Sequence, residues 1–190
     1  MSDRENNSSD EEETSIEIEG EVKEKQENVF LTFDVAEETY GIAIYNVTEI
    51  IRVVKITPIP DIYESIKGVI NLRGKIIPVM DIRTRMGIDD KEYDDRTCVI
   101  VINALFNDPN KGGDKGVDIG IVVDRVAEVI EIPREHMEPA PKVGEGQAQR
   151  FVRGIGKVGE KIRIIIDLDK LLFDFAGECK GKKSVDVLTQ

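Results

Sequence analysis

Ile66-Lys-Gly-Val-Ile-Asn-Leu-Arg-Gly-Lys-Ile-Ile-Pro-Val-Met-Asp-Ile-Arg83 is the stretch of sequence that decides the fold. Apolar, mostly β-branched residues stand on both sides of Asn71-Leu-Arg-Gly74, which predicts two short strands joined by a tight turn. Gly74 can supply the positive φ that the turn requires, and the Asn71 side chain can hydrogen-bond to nearby backbone. The sequence therefore predicts a β-hairpin over residues 68–80.

The same pattern occurs a second time further along the chain. Matching positions are separated by 79 residues before the hairpin and by 86 residues within it, pairing Gly41 with Gly120, Val47 with Val126, Glu49 with Glu128, Gly68 with Gly154, Lys75 with Lys161 and Asp81 with Asp167. Because only two copies occur, the pattern indicates a duplicated domain, not a solenoid. Short strands with frequent turns are typical of small barrels, so we predict an all-β fold.

The segments around the two hairpins complete this interpretation. Residues 40–54 and 117–132 alternate between apolar and polar side chains, and each is predicted to be one long β segment. Residues 107–116 are rich in Gly, Asp and Asn and are predicted to form a loop. Asp81 can cap a short helical turn that Gly87 ends, and Asp167 can cap a final amphipathic helix over residues 168–175.

The acidic residues are concentrated at the N-terminus. The chain carries a net charge of −12, and residues 1–28 hold 11 acids and 3 bases. Such a segment buries too little apolar surface to offset its ordering entropy, so we predict a disordered acidic tail over residues 1–27. We expect the folded domain over residues 28–175, with halves of about 28–90 and 95–175 that exchange strands, and a flexible tail over 176–190.

Composition also excludes several classes of function. The acidic balance disfavours nucleic-acid binding and anionic membrane surfaces. The sequence contains no run of 18 apolar residues that could insert into a membrane, and its polar N-terminus argues against a signal peptide. Cys98 and Cys179 lie in no metal-binding spacing, and two unpaired thiols fit the reducing cytoplasm, where we expect the protein.

No motif indicates catalysis, a cofactor or a metal. Gly154-Ile-Gly-Lys-Val-Gly159 matches the dinucleotide-binding pattern, but a predicted strand follows it where a helix N-terminus would be needed. His136 is the single histidine, and nothing in the sequence places a nucleophile beside it. We therefore predict a protein that is not an enzyme, and a nucleotide-binding enzyme is the less favoured alternative.

Two charged positions have competing interpretations. Arg73 has Gly159 as its equivalent in the second copy, so the turn does not require an arginine. A guanidinium on a rigid turn suits recognition of a carboxylate, and a simple solubility charge is the alternative. Glu49 is either an outward-facing strand residue or a contact residue beside Val47.

The hairpin stretch resembles the signature of the CheW family of bacterial chemotaxis coupling proteins. Four further segments carry the same resemblance: residues 40–44, 47–50, 124–130 and 164–172. Together they cover roughly residues 28–175. The resemblance implies two intertwined five-stranded SH3-like barrels built from the duplicated motif, with a short C-terminal helix.

The resemblance also implies partners. Proteins of this family are scaffolds that link the cytoplasmic tips of chemoreceptors to the histidine kinase CheA, whose regulatory domain has the same fold and packs barrel against barrel. By position, the receptor-contact residues would be Val47, Glu49, Gly68, Asn71, Arg73 and Val126. The kinase would contact exposed apolar residues of the first barrel. We expect a monomer in isolation, and an adaptor of another chemosensory pathway, such as surface motility, is the alternative.

Overall fold

The computed structural model describes residues 27–60, 62–108, 113–140 and 147–172. The predictions made for residues 1–26, 109–112 and 173–190 lie outside these ranges. No described helix is long and apolar enough to cross a membrane.

Strands dominate the described chain. They are β1 Val29–Val35, β2 Glu38–Ala43, β3 Val47–Arg52, β4 Ile66–Leu72, β5 Lys75–Asp81, β6 Cys98–Asp108, β7 Gly113–Val123, β8 Arg125–Glu131, β9 Met137–Pro139, β10 Val152–Val158 and β11 Lys161–Ile166. Helix α1, Ile82–Met86, follows β5; Asp81 caps its start, and Gly87 ends it with φ 71°. A final helix begins at residue 168, where the Asp167 carboxylate accepts a hydrogen bond from the Lys170 amide, and it is described as far as residue 172.

The strands form two sheets that exchange strands between the halves of the chain. The first, in the order β3-β6-β7-β5-β4, is called the first barrel here, and the second, in the order β8-β1-β2-β11-β10-β9, the second barrel. Thus β1 and β2 join strands from the later half, whereas β6 and β7 join strands from the earlier half. Parallel pairs, β5 with β7 and β2 with β11, connect the exchanged strands to their hosts.

The two barrels have equivalent closing segments. In the second barrel the short strand β9 pairs with β10, which gives this sheet six strands where the resemblance implied five. In the first barrel the equivalent contact is a bridge in which Thr57 and Val69 exchange two backbone hydrogen bonds. In each barrel the chain leaves an edge strand, β3 or β8, and returns to the opposite edge of the same sheet.

Each predicted long β segment is in fact two strands in different sheets, so the prediction of single strands over residues 40–54 and 117–132 was wrong. A turn of 3-10 helix, Ile44–Asn46, moves the chain from β2 in the second barrel to β3 in the first. A bend at Asp124 moves it back from β7 to β8. Apolar alternation continues through both crossings because both sheets bury one face, and so the sequence pattern does not show them.

The Asp124 carboxylate holds the second crossing in place. It accepts hydrogen bonds from Arg83 Nε at 2.8 Å, Arg83 Nη2 at 2.5 Å and the Ala36 amide at 2.8 Å. Both charged side chains are largely buried, with 11% of Arg83 and 18% of Asp124 exposed. One carboxylate therefore connects the β1–β2 turn, helix α1 and the β7–β8 bend.

Where the structure describes it, the region predicted as a loop over residues 107–116 is paired strand at the end of a long hairpin. Strands β6 and β7 remain paired as far as Asp108 opposite Gly113. For residues 107–108 and 113–116 the prediction of a loop was wrong, because the backbone pairing of β6 with β7 overrides the low strand propensity of Gly, Asp and Asn.

The core has three parts. The largest cluster lies between the barrels and includes Ile42, Ile82, Ile100, Phe151 and Leu171. A smaller cluster around Ile77 and Val99 fills the first barrel, and one around Phe30 and Ile165 fills the second. The shared central cluster makes the two barrels a single folding unit.

Candidate functional site

The turn after β4 places an arginine in an unfavourable backbone conformation. Arg73 has φ 52° and Gly74 has φ 85°, and the Gly74 amide donates a hydrogen bond to Asn71 Oδ1 at 2.8 Å. Two positive φ values in a two-residue hairpin loop are typical of a type I′ turn, in which glycine, asparagine and aspartate predominate. At the equivalent position the second barrel uses Gly159, with φ 61°. Arg73 therefore occupies a position where glycine would be less strained.

Glu49 on β3 pairs with this arginine. Arg73 Nη2 lies 2.6 Å from Glu49 Oε1, and the exposed fractions of the two side chains are 79% and 26%. β3 and β4 are the two edge strands of the sheet, so an ion pair between β3 and the turn after β4 requires the sheet to roll up. The Glu49 carboxylate orients Arg73 across the seam of the barrel, and both alternatives for Glu49, an outward-facing strand residue or a contact residue, stay open.

A second polar cluster lies immediately beyond the turn. Lys75 Nζ forms an ion pair with Asp118 Oδ2 on β7, and Asn103 Nδ2 on β6 donates to Asp118 Oδ1 at 2.8 Å. The hydrogen bonds from Lys75 and Asn103 hold the pKa of Asp118 below its ordinary value. Three neighbouring strands therefore meet in a charged cluster at the same end of the barrel as Arg73.

Gly68 is a buried glycine with φ 140°, and its place in the fold explains its identity. A Cβ atom added there would lie 2.1 Å from the Thr57 carbonyl oxygen. The residue stands at a β-bulge where the closing segment crosses β4. Gly68 is predicted to contact a receptor, and it also has an internal role, because its missing Cβ lets the Thr57 backbone lie against β4.

The remaining predicted contact residues are half-buried valines. Val47 begins β3 in the first barrel, and Val126 lies on β8 in the second barrel, opposite Phe33. Both pack against the central core. The structure therefore brings Glu49, Asn71 and Arg73 together at one end of the first barrel, whereas Val126 belongs to the other sheet.

Sequence reasoning missed a pattern in the exposed apolar side chains. Ile50 on β3 is 42% exposed and its repeat equivalent Val129 is 56% exposed, whereas Ile76 on β5 is 61% exposed and its equivalent Ile162 is 64% exposed. Exposed apolar residues scattered at random would not coincide in both copies. The signal that could have found them is the recurrence of apolar residues at equivalent strand positions in the two copies.

The nucleotide motif lacks the structural context that it needs. Residues 154–158 lie in β10, Gly159 lies in the turn, and β11 follows directly. No helix N-terminus is therefore available there to hold a pyrophosphate. Among the residues that the structure describes, no group of three His, Cys, Asp or Glu side chains is placed to hold a metal ion.

Residues 29–175 match the CheW-like domain family. The chain belongs to the CheW family. A chemotaxis protein CheW of Klebsiella aerogenes is 38% identical over 143 residues, which is 75% of this chain and 80% of that protein. Protein FrzA of Myxococcus xanthus is 26% identical over 149 residues, which is 78% of this chain and 87% of that protein.

A solved structure supports the fold directly. The crystal structure of scaffolding protein TtCheW from Thermoanaerobacter tengcongensis superimposes with a TM-score of 0.68 at 37% identity, covering 83% of this chain and 97% of that chain. The predicted all-β CheW fold of two strand-exchanged barrels is confirmed. The turn Asn71–Gly74 and its partner Glu49 therefore lie in a member of the CheW family.

Proposed function

We propose that this CheW protein is a scaffold in bacterial chemotaxis that couples the cytoplasmic tips of chemoreceptors to the histidine kinase CheA. The observation that carries the proposal is Arg73, a strained and 79% exposed arginine on a rigid turn, in a chain of the CheW family. Non-glycine residues in the left-handed region are uncommon, are held there by the surrounding structure and cluster at functional sites. The role requires binding surfaces and no catalytic group.

The receptor would bind at the end of the first barrel that carries the turn. Glu49 engages one guanidinium nitrogen of Arg73 from within the chain, and the large exposed fraction leaves other N–H donors facing solvent. Such donors suit a carboxylate or a backbone carbonyl of the receptor. Asn71 fixes the turn. Val47 and Val126 would contact the receptor from the first and the second barrel, and Gly68, which is buried, belongs to the set through the backbone approach that it allows.

The kinase regulatory domain would bind the exposed apolar residues of the first barrel. Ile50 and Ile76 lie on strands of that barrel, and their side chains are 42% and 61% exposed. Exposed aliphatic side chains supply the non-directional attraction that barrel-to-barrel packing uses, while neighbouring charges set register. We further propose that the domain spans residues 28–175, is a monomer in isolation and acts in the cytoplasm, where it would meet both partners.

Arg73→Ala tests the receptor contact. We expect binding of a receptor-tip fragment to weaken at least about tenfold, equivalent to about 1.4 kcal/mol, because a charge-assisted contact is lost. Isothermal titration calorimetry with the receptor fragment measures this change. Binding of the kinase regulatory domain should remain as in the wild-type chain.

Lys157→Ala is the matched control, because Lys157 is exposed on the equivalent hairpin of the second barrel. It should leave receptor affinity unaltered. Equal affinity of the wild-type chain and the Arg73→Ala variant, with both folded, would reject the proposed receptor site.

Ile76→Glu tests the kinase contact. A charge introduced at the centre of an apolar interface should weaken binding of the CheA regulatory domain at least about tenfold, since the carboxylate would be desolvated without a partner. Ile162→Glu at the equivalent position of the second barrel is the control and should have a smaller effect. Surface plasmon resonance with immobilised regulatory domain compares the two, and a larger loss from Ile162→Glu would assign the kinase to the second barrel.

An adaptor role in another chemosensory pathway is a second candidate. It is favoured by the similarity to protein FrzA, which shows that the matched relatives include proteins with a name other than CheW. Co-purification with a CheA-type regulatory domain and a chemoreceptor fragment separates the two. A ternary complex supports chemotaxis, whereas retention of the kinase domain without the receptor fragment supports another pathway.

A further inference from the structure

The β6–β7 hairpin is longer than the fold requires. Its repeat equivalent, the β1–β2 hairpin, ends at the pair Val35 and Glu38 with two residues between them. In contrast, β6 and β7 stay paired to Asp108 and Gly113. We call the paired residues 103–108 and 113–118 the arm.

The arm projects at the same end of the first barrel as the Arg73 turn. β7 runs parallel to β5, with Val79 opposite Gly120. Continuing that register places Lys75, the first residue of β5, level with Gly116. Residues 113–115 therefore reach about 10 Å beyond Lys75, at about 3.3 Å per residue.

The root of the arm is anchored to the turn by described side chains. Lys75, two residues after Arg73, forms its ion pair with Asp118 on β7. Asn103 on β6 bonds the same carboxylate, and Gly116 makes room for it, because a Cβ at Gly116 would lie 2.7 Å from Asn103 Oδ1. The direction of the arm relative to Arg73 is thus set by specific contacts.

We infer that the arm is a second receptor-contact element, which extends the Arg73 site and contributes to the choice of receptor. The inference rests on the proposed function, because its partner is the same receptor tip. A projecting two-stranded ribbon is marginally stable by itself and exposes backbone hydrogen-bonding groups along its edges. A partner seated on Glu49, Asn71 and Arg73 would lie beside these groups and the Lys75–Asp118 pair.

A trimmed variant tests the inference. Leu105 and Gly116 are direct register partners, so residues 106–115 can be replaced by Asn-Gly, which closes a two-residue hairpin. We expect receptor-tip binding to weaken about tenfold and binding of the kinase regulatory domain to stay within twofold of wild type. Arg73→Ala, measured beside it, reports on the proposed function separately.

The outcomes are distinct. If the trimmed variant binds the receptor fragment normally while Arg73→Ala binds it more weakly, the proposed role of the arm is rejected and the receptor site is retained. If neither variant changes receptor affinity, the arm and the receptor site both fail. If trimming weakens binding of the receptor fragment and of the kinase regulatory domain equally, the proposed role of the arm is also rejected, since the loss indicates a general effect on the fold.

Hydrogen exchange on the full-length chain gives a measurement that needs no trimmed variant. Adding the receptor fragment should slow exchange of amides in residues 103–108 and 113–118, and adding the kinase regulatory domain should not. If the receptor fragment protects residues 71–74 from exchange but does not protect the arm, the inference is overturned.

Discussion

Gly68→Ala is expected to lower the free energy of unfolding by about 3–5 kcal/mol, combining the cost of a non-glycine residue at positive φ with that of overpacking. A Cβ at this position would lie 2.1 Å from the Thr57 carbonyl oxygen and 2.9 Å from the Pro58 Cα, and both neighbours are backbone atoms. Backbone cannot move aside as a flexible side chain can. The Thr57–Val69 hydrogen bonds that close the first barrel would have to break.

Gly159→Ala provides the control for this prediction. Gly159 also has a positive φ, of 61°, but a Cβ there would meet nothing within 4 Å. Its expected cost is about 1–2 kcal/mol, the strain of the backbone alone. Urea denaturation of both variants separates strain from steric overlap, and equal losses would show that the close approach to Thr57 is unimportant. If Gly68→Ala does not fold well enough to measure, proteolysis at the Thr57 segment gives the same comparison.

Asp124→Asn is expected to lower the free energy of unfolding by about 3 kcal/mol, as for removal of one partner of a buried ion pair. The substitution keeps the size of the side chain but leaves Arg83 without its counter-ion, in a site where only 11% of the arginine is exposed. It also weakens the acceptor for the Ala36 amide. Asp90→Asn is the control, because Asp90 pairs with Lys67 while 68% exposed, and it should lose less than about 1 kcal/mol.

The pH dependence of the Asp124→Asn effect follows from the same contacts. Burial alone would raise the pKa of Asp124, but the hydrogen bonds from Arg83 and the Ala36 amide outweigh it, so its pKa lies below the ordinary value of 3.8. Because the folded pKa is lowered, the stabilisation is present above the pKa of the unfolded chain and is lost as pH falls through the folded pKa. The stability difference between wild type and variant should therefore be constant near neutral pH and should shrink below about pH 4. If the stability difference between wild type and variant did not change down to pH 2, the stabilisation by the Arg83–Asp124 pair would not be ionic.

Local sequence chemistry predicted the hairpins and caps well, because each depends on a few adjacent residues. Asn71 and Gly74 form the turn as their chemistry requires, and Asp81 and Gly87 bound helix α1 as expected. The duplicated pattern correctly predicted two related β units. The same local reasoning did not foresee that Arg73 itself has a positive φ, since arginine has no preference for that region.

Long-range features lay beyond that reasoning. The pairing of Arg73 with Glu49 joins residues 24 positions apart across the seam of a barrel, and nothing in either segment marks the other. Likewise, Gly68 was predicted as a receptor contact by its position in the family signature, whereas its close approach to Thr57 depends on where the chain after β3 returns to β4. Such contacts exist only once the sheet has closed.

By itself, the sequence determined an all-β chain with two copies of one motif, because strand propensity, turn residues and helix caps act over short distances. Only the tertiary structure decided which strands share a sheet, since both sheets bury one face and the apolar alternation runs unchanged through the crossings at Ile44–Asn46 and Asp124. It also decided that residues 103–108 and 113–118 are paired strands and not a loop. Pairing between strands is a property of two segments together, and the sequence of either one carries only half of that information.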